Sequence, residues 1–263
     1  MALNSGDAPL NGPLNGPLNG PLNGKVALVT GGGRGIGAAT ALRLARAGAD
    51  VALTYVKGRE AAEEVVRAVQ ALGRRAAALR ADAGDAAQAA GAVHGAAEAL
   101  GRLDVLVNNA GVGVLGPLAE LGLQEVDRLL AVNVRGVFLA SRAAAERMAD
   151  GGRIIIGTCM TQRVPGPGGT LYATGKAALT GLAKALAREL GPRWITADVV
   201  HPGPTDTDLN PADGPYAAGQ TALTALGRFG TADEVAAMVT YLAGPDAAYV
   251  TGAEFSVDGT HAA

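Results

Sequence analysis

The chain has 263 residues, of which 49% are hydrophobic and 17% are charged, so it has enough apolar side chains for one large core. Its formal charge of -2, scattered basic residues and 3% aromatic content argue against a nucleic-acid partner. It has one cysteine, no apolar run near the roughly 20 residues of a membrane span and no secretory-type N-terminus, which together predict a cytoplasmic protein without a membrane partner.

Four copies of Pro-Leu-Asn-Gly occupy residues 9–24. A proline at every fourth position prevents a helix, and the repeated Asn-Gly-Pro favours turns without an apolar face. We therefore predict that residues 1–24 form a flexible leader with no role in the core, and that residues 25–263 form one domain. The alternatives are a repeat expansion of a short ordered arm and a docking peptide.

Short β-type runs alternate with helical runs after residue 25. The predicted strands are 26–30, 51–55, 76–79, 105–108, 153–157, 196–200 and 255–257, and the predicted helices are 35–47, 60–72, 85–100, 124–148, 171–190 and 232–242. Strands rich in Val, Ile and Leu that alternate with helices predict a parallel sheet covered on both faces. The predicted fold class is α/β, a single doubly wound Rossmann domain with a seven-stranded parallel sheet and about three helices on each face.

The turn between the first strand and the first helix is rich in glycine. It has the sequence Thr-Gly-Gly-Gly-Arg-Gly-Ile-Gly over residues 30–37. Glycines at this place let backbone N–H groups approach a pyrophosphate at the positive end of a helix dipole. A merely tight turn is the alternative, and the spacing departs from G-x-G-x-x-G, which points to a particular subgroup of dinucleotide-binding domains.

Three further motifs identify that subgroup. Asn-Asn-Ala-Gly occupies residues 108–111 after the fourth strand, Asn133 lies in Val-Asn-Val-Arg-Gly, and Tyr172 precedes Lys176 by four residues. With the glycine turn, these motifs resemble the classical short-chain dehydrogenase/reductase family, which includes NADPH-dependent ketoreductases such as 3-oxoacyl-carrier-protein reductase. The resemblance extends from about residue 22 to residue 259.

The resemblance implies the site residues. Tyr172 would be the catalytic acid or base, Lys176 would hold the nicotinamide ribose and lower the tyrosine pKa, and Asn133 would anchor a water of the proton relay. The predicted cofactor-binding residues are Gly31, Gly33, Arg34, Gly35, Ile36, Gly37, Tyr55, Lys57, Asp82, Ala83, Asn109, Ala110, Gly111, Val132, Tyr172, Lys176, Pro202, Gly203, Thr205 and Thr207.

The pairing of Tyr172 with Lys176 also has a chemical reason independent of the family. Residues four apart share one helical face, and a cation there stabilises tyrosinate. In the reducing direction, hydride goes to the carbonyl carbon while Tyr172 protonates the oxygen. A surface pair that only packs is the alternative.

The family places a serine 13 or 14 residues before the tyrosine to bind the substrate oxygen, and here those positions hold Cys159 and Thr158. Because Thr158 keeps a hydroxyl and a thiol is a weak donor, we assign the role to Thr158. The alternative is a threonine at the strand end that only satisfies the backbone. Cys159 is predicted to be a small core residue that could contact substrate.

The end of the second strand indicates which cofactor binds. An acidic residue there would bind the adenosine ribose of NAD, but residues 54–59 read Thr-Tyr-Val-Lys-Gly-Arg. Arg34 and Lys57 could neutralise a 2′-phosphate, with Arg59 in reserve. The sequence therefore favours NADP(H), with NAD(H) as the second choice. The alternative interpretation is that Lys57 and Arg59 are ordinary solvent-exposed charges that bind no phosphate.

The remaining expectations concern the substrate and partners. Residues 204–229 would form a lid, with Leu209 and Tyr216 as candidate substrate contacts, and the family commonly forms homodimers or homotetramers. No metal-ligand spacing connects the three histidines. We predict an oxidoreductase that transfers hydride between NADP(H) and a small-molecule carbonyl or alcohol. The alternative is a dinucleotide-binding sensor or scaffold with little turnover.

Overall fold

A computed structural model describes residues 20–159 and 163–262. The strands are β1 Val26–Val29, β2 Asp50–Tyr55, β3 Ala76–Arg80, β4 Val105–Asn108, β5 Arg153–Gly157, β6 Thr196–Pro202, β7 Thr205–Asp206, β8 Gly230–Thr231 and β9 Glu254–Val257. Seven of them form one parallel sheet in the order β3-β2-β1-β4-β5-β6-β9, while β7 and β8 pair separately.

The helices cover the two faces of this sheet. They are α1 Gly35–Arg46, α2 Arg59–Ala71, α3 Ala86–Leu100, α4 Leu123–Leu130, α5 Val137–Arg147, α6 Thr170–Leu190, α7 Ala217–Ala222 and α8 Ala232–Ala243. One buried cluster contains apolar residues of α1, α2 and α8, and a second contains residues of α3, α5 and α6. The prediction of a doubly wound domain with three principal helices on each face is confirmed.

The central strands are apolar because both faces of each strand are covered. All four residues of β1 and of β4 are buried, and so are the three consecutive isoleucines of β5. A half-exposed strand alternates apolar and polar residues, but a strand buried on both faces does not. These strands therefore consist almost entirely of apolar residues. No helix in the described parts of the chain is long and apolar enough to span a membrane.

The long helix predicted over residues 124–148 is interrupted. A π-helical segment, Ala131–Gly136, separates α4 from α5. A π-helical turn places one extra residue in the helix and turns the following side chains to a new direction. Here it carries Asn133, whose side chain is fully buried, towards the edge of the sheet at which β4 ends.

The last copy of the N-terminal repeat belongs to the folded domain, which corrects the predicted boundary at residue 25. Leu22 is only 2% exposed and lies in the core cluster with α1 and α8. Its backbone N–H donates to the carbonyl of Ala47 at 2.9 Å, at the end of α1. This agrees with the ordered-arm alternative for that copy, whereas residues 1–19 lie outside the described residues and their leader role stays a prediction.

Replacement of Leu22 by alanine should therefore destabilise the domain. Removing a fully buried leucine leaves a cavity, so Leu22→Ala should lower the free energy of unfolding by about 2 to 4 kcal/mol. Chemical denaturation followed by circular dichroism would measure the loss. Leu10→Ala, at the matching position of the first copy, is the control; an equal loss in both variants would contradict a special role for Leu22.

Candidate active site

A cleft of about 810 Å³ lies at the carboxyl ends of the parallel strands. Its walls come from the segments that follow β1, β2, β4, β5 and β6, and the strand order reverses between β1 and β4. Doubly wound domains bind ligands at such a reversal, because the connections on its two sides run to opposite faces of the sheet. Twenty predicted residues line this cleft: Gly31, Gly33, Arg34, Gly35, Ile36, Gly37, Tyr55, Lys57, Asp82, Ala83, Asn109, Ala110, Gly111, Val132, Thr158, Tyr172, Lys176, Pro202, Thr207 and Leu209.

The glycine turn packs so closely that side chains would not fit. A Cβ on Gly37 would lie 2.4 Å from the carbonyl oxygen of Gly31, and Gly31 itself has a φ of 65°. The turn leads into α1, whose first turn contains no acidic residue. It therefore exposes backbone N–H groups at a helix N-terminus to the cleft, as a pyrophosphate site requires.

Two threonines that sequence reasoning did not assign hold this turn and its neighbour. The Thr54 hydroxyl accepts a hydrogen bond from the Gly31 N–H at 2.9 Å. The Thr30 hydroxyl accepts from the N–H groups of Asn109 and Ala110, both at 3.0 Å. Thr30 directly follows β1, Thr54 is the second-last residue of β2, and both are buried. A threonine near the end of a strand, beside a glycine turn, was therefore the available signal.

Two basic side chains line the end of the cleft formed by the glycine turn and the segment after β2. Neither Arg34 nor Lys57 has an ion-pair partner within residues 20–159 and 163–262. Arg59, the residue held in reserve, does not line the cleft and pairs with Glu63 at 2.6 Å. Arg34 and Lys57 are therefore the candidates for binding an anion in the cleft, and Arg59 is not.

Asp82 and Ala83 follow β3 and line the cleft beside this end. The Gly84 N–H donates to Asp82 Oδ1 at 2.8 Å, and Arg128 Nη1 lies 3.2 Å from Oδ2. These contacts, with the backbone bond as the larger cause, lower the pKa of the Asp82 carboxyl. Arg128, which sequence reasoning missed, thus fixes a carboxylate at the wall; nothing in the helical pattern of α4 distinguishes it.

Tyr172 and Lys176 lie in the first two turns of α6 and line the cleft together. Lys176 Nζ is 5.8 Å from the centre of the Tyr172 ring and 3.4 Å from the carbonyl oxygen of Gly157. The lysine side chain is buried, and burial lowers its pKa. The predicted pair therefore occurs as a contact inside the site and not as a packed surface pair.

Asn133 does not line the cleft but holds part of its wall. Its Nδ2 donates to the Val112 carbonyl at 2.8 Å, and its Oδ1 accepts from the Val112 N–H at 2.9 Å. A Cβ built on Gly111 would lie 3.1 Å from Lys176 Nζ and 3.4 Å from Asn133 Oδ1. Asn133 therefore positions the segment that follows the Asn-Asn-Ala-Gly motif, close to Lys176.

The pKa of Tyr172 is raised in this structure, contrary to the expectation that Lys176 lowers it. Burial is the largest cause, and the neighbouring Cys159 side chain adds to it. A phenolate would lose its hydration in this wall, and the lysine lies over the ring instead of meeting the hydroxyl. Without further charges in the cleft, Tyr172 is therefore a protonated phenol at neutral pH.

Thr158 and Cys159 face different partners. The Thr158 hydroxyl, although it lines the cleft, is hydrogen-bonded to Nδ1 of His201 and lies 3.3 Å from the Val200 carbonyl oxygen. The Cys159 side chain is instead a neighbour of Tyr172 and contributes to the raised pKa of that tyrosine. The sequence had offered His201 no role, because its partner is distant in the chain.

Several other predicted residues lie away from the cleft wall. A Cβ on Gly203 would come within 2.6 Å of Asp258, so this glycine allows the chain segments to pack. The Thr205 hydroxyl donates to the Gly203 carbonyl at 2.9 Å, and Tyr216, just before α7, is 77% exposed.

No group of three His, Cys, Asp or Glu side chains within the described residues is arranged to hold a metal ion.

Comparison with known proteins gives three further findings. The model of a family described as enoyl-(acyl carrier protein) reductase matches residues 31–260. A cyclic-di-GMP-binding biofilm dispersal mediator protein of Escherichia coli K12 is 45% identical over 240 residues, covering 91% of this chain and 98% of that protein. A hydroxynaphthalene reductase of Aspergillus fumigatus is 37% identical over 246 residues, covering 88% and 90% respectively.

A solved structure is also similar over nearly the whole chain. It is a short chain dehydrogenase from Burkholderia cenocepacia J2315 in complex with NADP, 52% identical, with a TM-score of 0.91. The similarity covers 92% of this chain and 100% of that one. The two chains therefore share the same overall fold.

The ion pairs of Glu254 behind the cleft predict an acid-dependent loss of stability. Lys184 is the main cause that lowers the pKa of Glu254 from 4.5 to about 2, with Arg163 and His201 contributing. The carboxylate therefore stabilises the fold fully above pH 4.5, and this contribution is lost as the pH falls towards 2. Glu254→Gln should cost about 1 to 3 kcal/mol at neutral pH.

Thermal melts of both proteins at a series of pH values would test this. The difference in Tm between the parent chain and Glu254→Gln should be constant above pH 5.5, roughly one unit beyond the ordinary pKa, and should shrink at lower pH. Glu98→Gln, at an exposed position with no ion pair among the described residues, is the control. A Tm difference that grows on acidification would contradict the assignment.

Proposed function

Because the chain belongs to the short-chain dehydrogenase/reductase family of NAD(P)-dependent oxidoreductases, we propose that it transfers hydride between NADP(H) and a ketone, aldehyde or secondary alcohol. The observation that carries this proposal is the contact of Tyr172 with Lys176 in the wall of the cleft. The named reductase relative and the NADP complex of a 52% identical structure support it.

The residues of the cleft fit a dinucleotide phosphate. The closely packed glycine turn presents N–H groups at the start of α1, and Arg34 and Lys57 lie beside it without carboxylate partners in the described chain. When bound, the cofactor supplies or accepts the hydride. Arg34 and Lys57 would bind the 2′-phosphate, Asp82 and Ala83 would meet the adenine, and Asn109, Ala110 and Gly111 would line the ribose.

Tyr172 would act as the proton donor during carbonyl reduction. Its phenol is protonated at neutral pH, as a proton donor must be, but the burial that raises its pKa makes it a weaker acid until positive charge in the cleft stabilises the phenolate. The proton passes from the Tyr172 hydroxyl to the substrate oxygen as the carbonyl carbon accepts hydride. Lys176, close to Gly111 and to the Tyr172 ring, would hold the ribose and stabilise the tyrosinate that is left.

Asn133 and Thr207 would assist at the nicotinamide end. The side chain of Asn133 fixes the backbone of Val112 next to Lys176, and we propose that Asn133 also holds a water of the proton relay. Thr207 lies 3.4 Å from the position of a Cβ on Gly35, so it closes the cleft over the glycine turn. We propose that its hydroxyl binds the nicotinamide carboxamide.

The substrate is proposed only as a small molecule with an apolar body. Leu209 lines the cleft and is 76% exposed, and Leu223 and Leu226 of the segment before β8 are also exposed. We also propose a cytoplasmic location, on the sequence features given above, and a homodimer or homotetramer, on the family resemblance. Size-exclusion chromatography with light scattering would measure the oligomeric state.

Tyr172→Phe tests the chemistry of the proposed reaction. Loss of the hydroxyl removes the proton donor but leaves the ring, so kcat for NADPH-dependent ketone reduction should fall about 10²- to 10⁴-fold, while NADPH binds as before. A panel of ketones and aldehydes, with NADPH oxidation followed at saturating cofactor, measures this. Binding without oxidation across the panel, unchanged by Tyr172→Phe, would support the sensor or scaffold alternative instead.

Cofactor choice is tested by removing the Arg34 and Lys57 side chains, the two cations that line the phosphate end of the cleft. NADPH should bind about 10- to 100-fold more tightly than NADH, as expected for charge-assisted hydrogen bonds to the 2′-phosphate. The double variant Arg34→Ala with Lys57→Ala should bind the two cofactors equally. Titration of cofactor fluorescence gives both Kd values. Arg59→Ala is the matched control, because Arg59 pairs with Glu63 outside the cleft. Equal affinities in the parent protein would refute the phosphate assignment.

A further inference from the structure

The loop that joins β3 to α3, residues 82–85, contributes two residues to the cleft wall. These are Asp82 and Ala83, the residues proposed above to meet the adenine. Local hydrogen bonds tie the loop to the start of α3, because the Asp82 N–H donates to Gln88 Oε1 and Asp85 Oδ1 accepts from the Gln88 N–H, both at 2.9 Å. Further contacts come from a distant part of the chain, α4 and the π-helical segment that follows it.

Two arginines of that part reach the loop. Arg128 Nη1, from α4, lies 3.2 Å from Asp82 Oδ2. Arg135 Nη2, from the π-helical segment, donates to the Gly84 carbonyl oxygen at 2.7 Å. One arginine therefore holds a carboxylate of the cleft wall, and the other holds the backbone two residues later.

The loop also packs closely against the π-helical segment. A Cβ on Gly136 would lie 2.1 Å from the carbonyl oxygen of Ala83. A Cβ on Gly84 would lie 3.0 Å from Val132 Cγ2 and 3.0 Å from Arg128 Nη1. The two glycines thus bring the loop and the segment together, and the arginine contacts add direction to this packing.

These contacts fix the orientation of the Asp82 carboxylate. Its Oδ1 accepts from the Gly84 N–H at 2.8 Å, while its Oδ2 meets Arg128. A carboxylate has about four acceptor positions, so Asp82 can still accept a hydrogen bond from a ligand in the cleft. The wall is therefore arranged before any ligand binds.

We propose that Arg128 and Arg135 are positioning residues for the adenine end of the cofactor, because they hold residues 82–85 in the arrangement that binds adenine. This assignment rests on the proposed function, since it concerns one half of the same dinucleotide. A preformed wall avoids the cost of ordering the loop when the cofactor binds. Both arginines thus strengthen binding without contacting the reacting atoms.

Ligands with and without an adenine test this role. Arg128→Ala and Arg135→Ala should each raise the Kd of NADPH about threefold, and the double variant about tenfold, as expected for exposed charge-assisted bonds. Adenosine 2′,5′-bisphosphate, which has no nicotinamide, should lose the same factors in competition with NADPH. Reduced nicotinamide mononucleotide has no adenine, so its Kd should stay within about 1.5-fold of the parent value.

A matched control and a kinetic measurement separate positioning from a general loss of structure. Arg142→Ala removes a surface arginine of α5 that pairs with Glu146 at 3.9 Å, and it should change neither Kd. Arg128→Lys can still pair with Asp82 and should restore most of the affinity. In the double variant KM for NADPH should rise while kcat stays within about twofold. An unchanged Kd for NADPH, or an equal loss for the mononucleotide, would overturn the proposal.

The arrangement of the loop can also be measured without a cofactor. The Gly84 N–H is bonded to Asp82 Oδ1, so its hydrogen exchange reports how firmly the loop is held. The double variant should speed exchange of the Gly84 amide about tenfold and leave that of the Gln88 amide within about twofold. Unchanged exchange at Gly84 would refute the positioning role. Because this experiment needs neither binding nor turnover, its failure is distinguishable from failure of the proposed oxidoreductase activity.

Discussion

The cleft depends on the close approach of two turns, the glycine turn after β1 and the Asn-Asn-Ala-Gly turn after β4. A Cβ on Gly37 would meet Gly31 at 2.4 Å and the Asn109 amide at 2.6 Å, so the two turns share one packed unit. The hydroxyl of Thr30 joins them by accepting from Asn109 and Ala110. This contact keeps the start of α1 facing the reversal in strand order, where a dinucleotide phosphate would bind.

Burial determines the chemistry at the other end of the cleft. Tyr172 and Lys176 are both held in the wall, where low hydration disfavours phenolate and ammonium alike. The neutral phenol suits proton donation, and a positive charge in the cleft would stabilise the phenolate that remains. The simple argument that a cation four residues away lowers the tyrosine pKa neglected the cost of burying both groups, which is larger here.

The edge formed by β5, β6 and β9 adds a second hydrogen-bonded system behind the wall. Its residues are far apart in the chain, and the parallel register places the ends of adjacent strands side by side. Thr158 reaches His201 and His201 reaches Glu254 only through this pairing.

The sequence by itself determined the doubly wound fold, the glycine turn, the pairing of Tyr172 with Lys176 and most of the residues that line the cleft, because these depend on local periodicity and on motifs with fixed spacing. Only the tertiary structure decided that Leu22 completes the core, that a π-helical segment carries Asn133, and that Arg59 is engaged by Glu63. It also decided that Thr158 meets His201 and Val200. Contacts between distant segments depend on how strands pair and helices pack, and a single residue type does not encode its long-range partner.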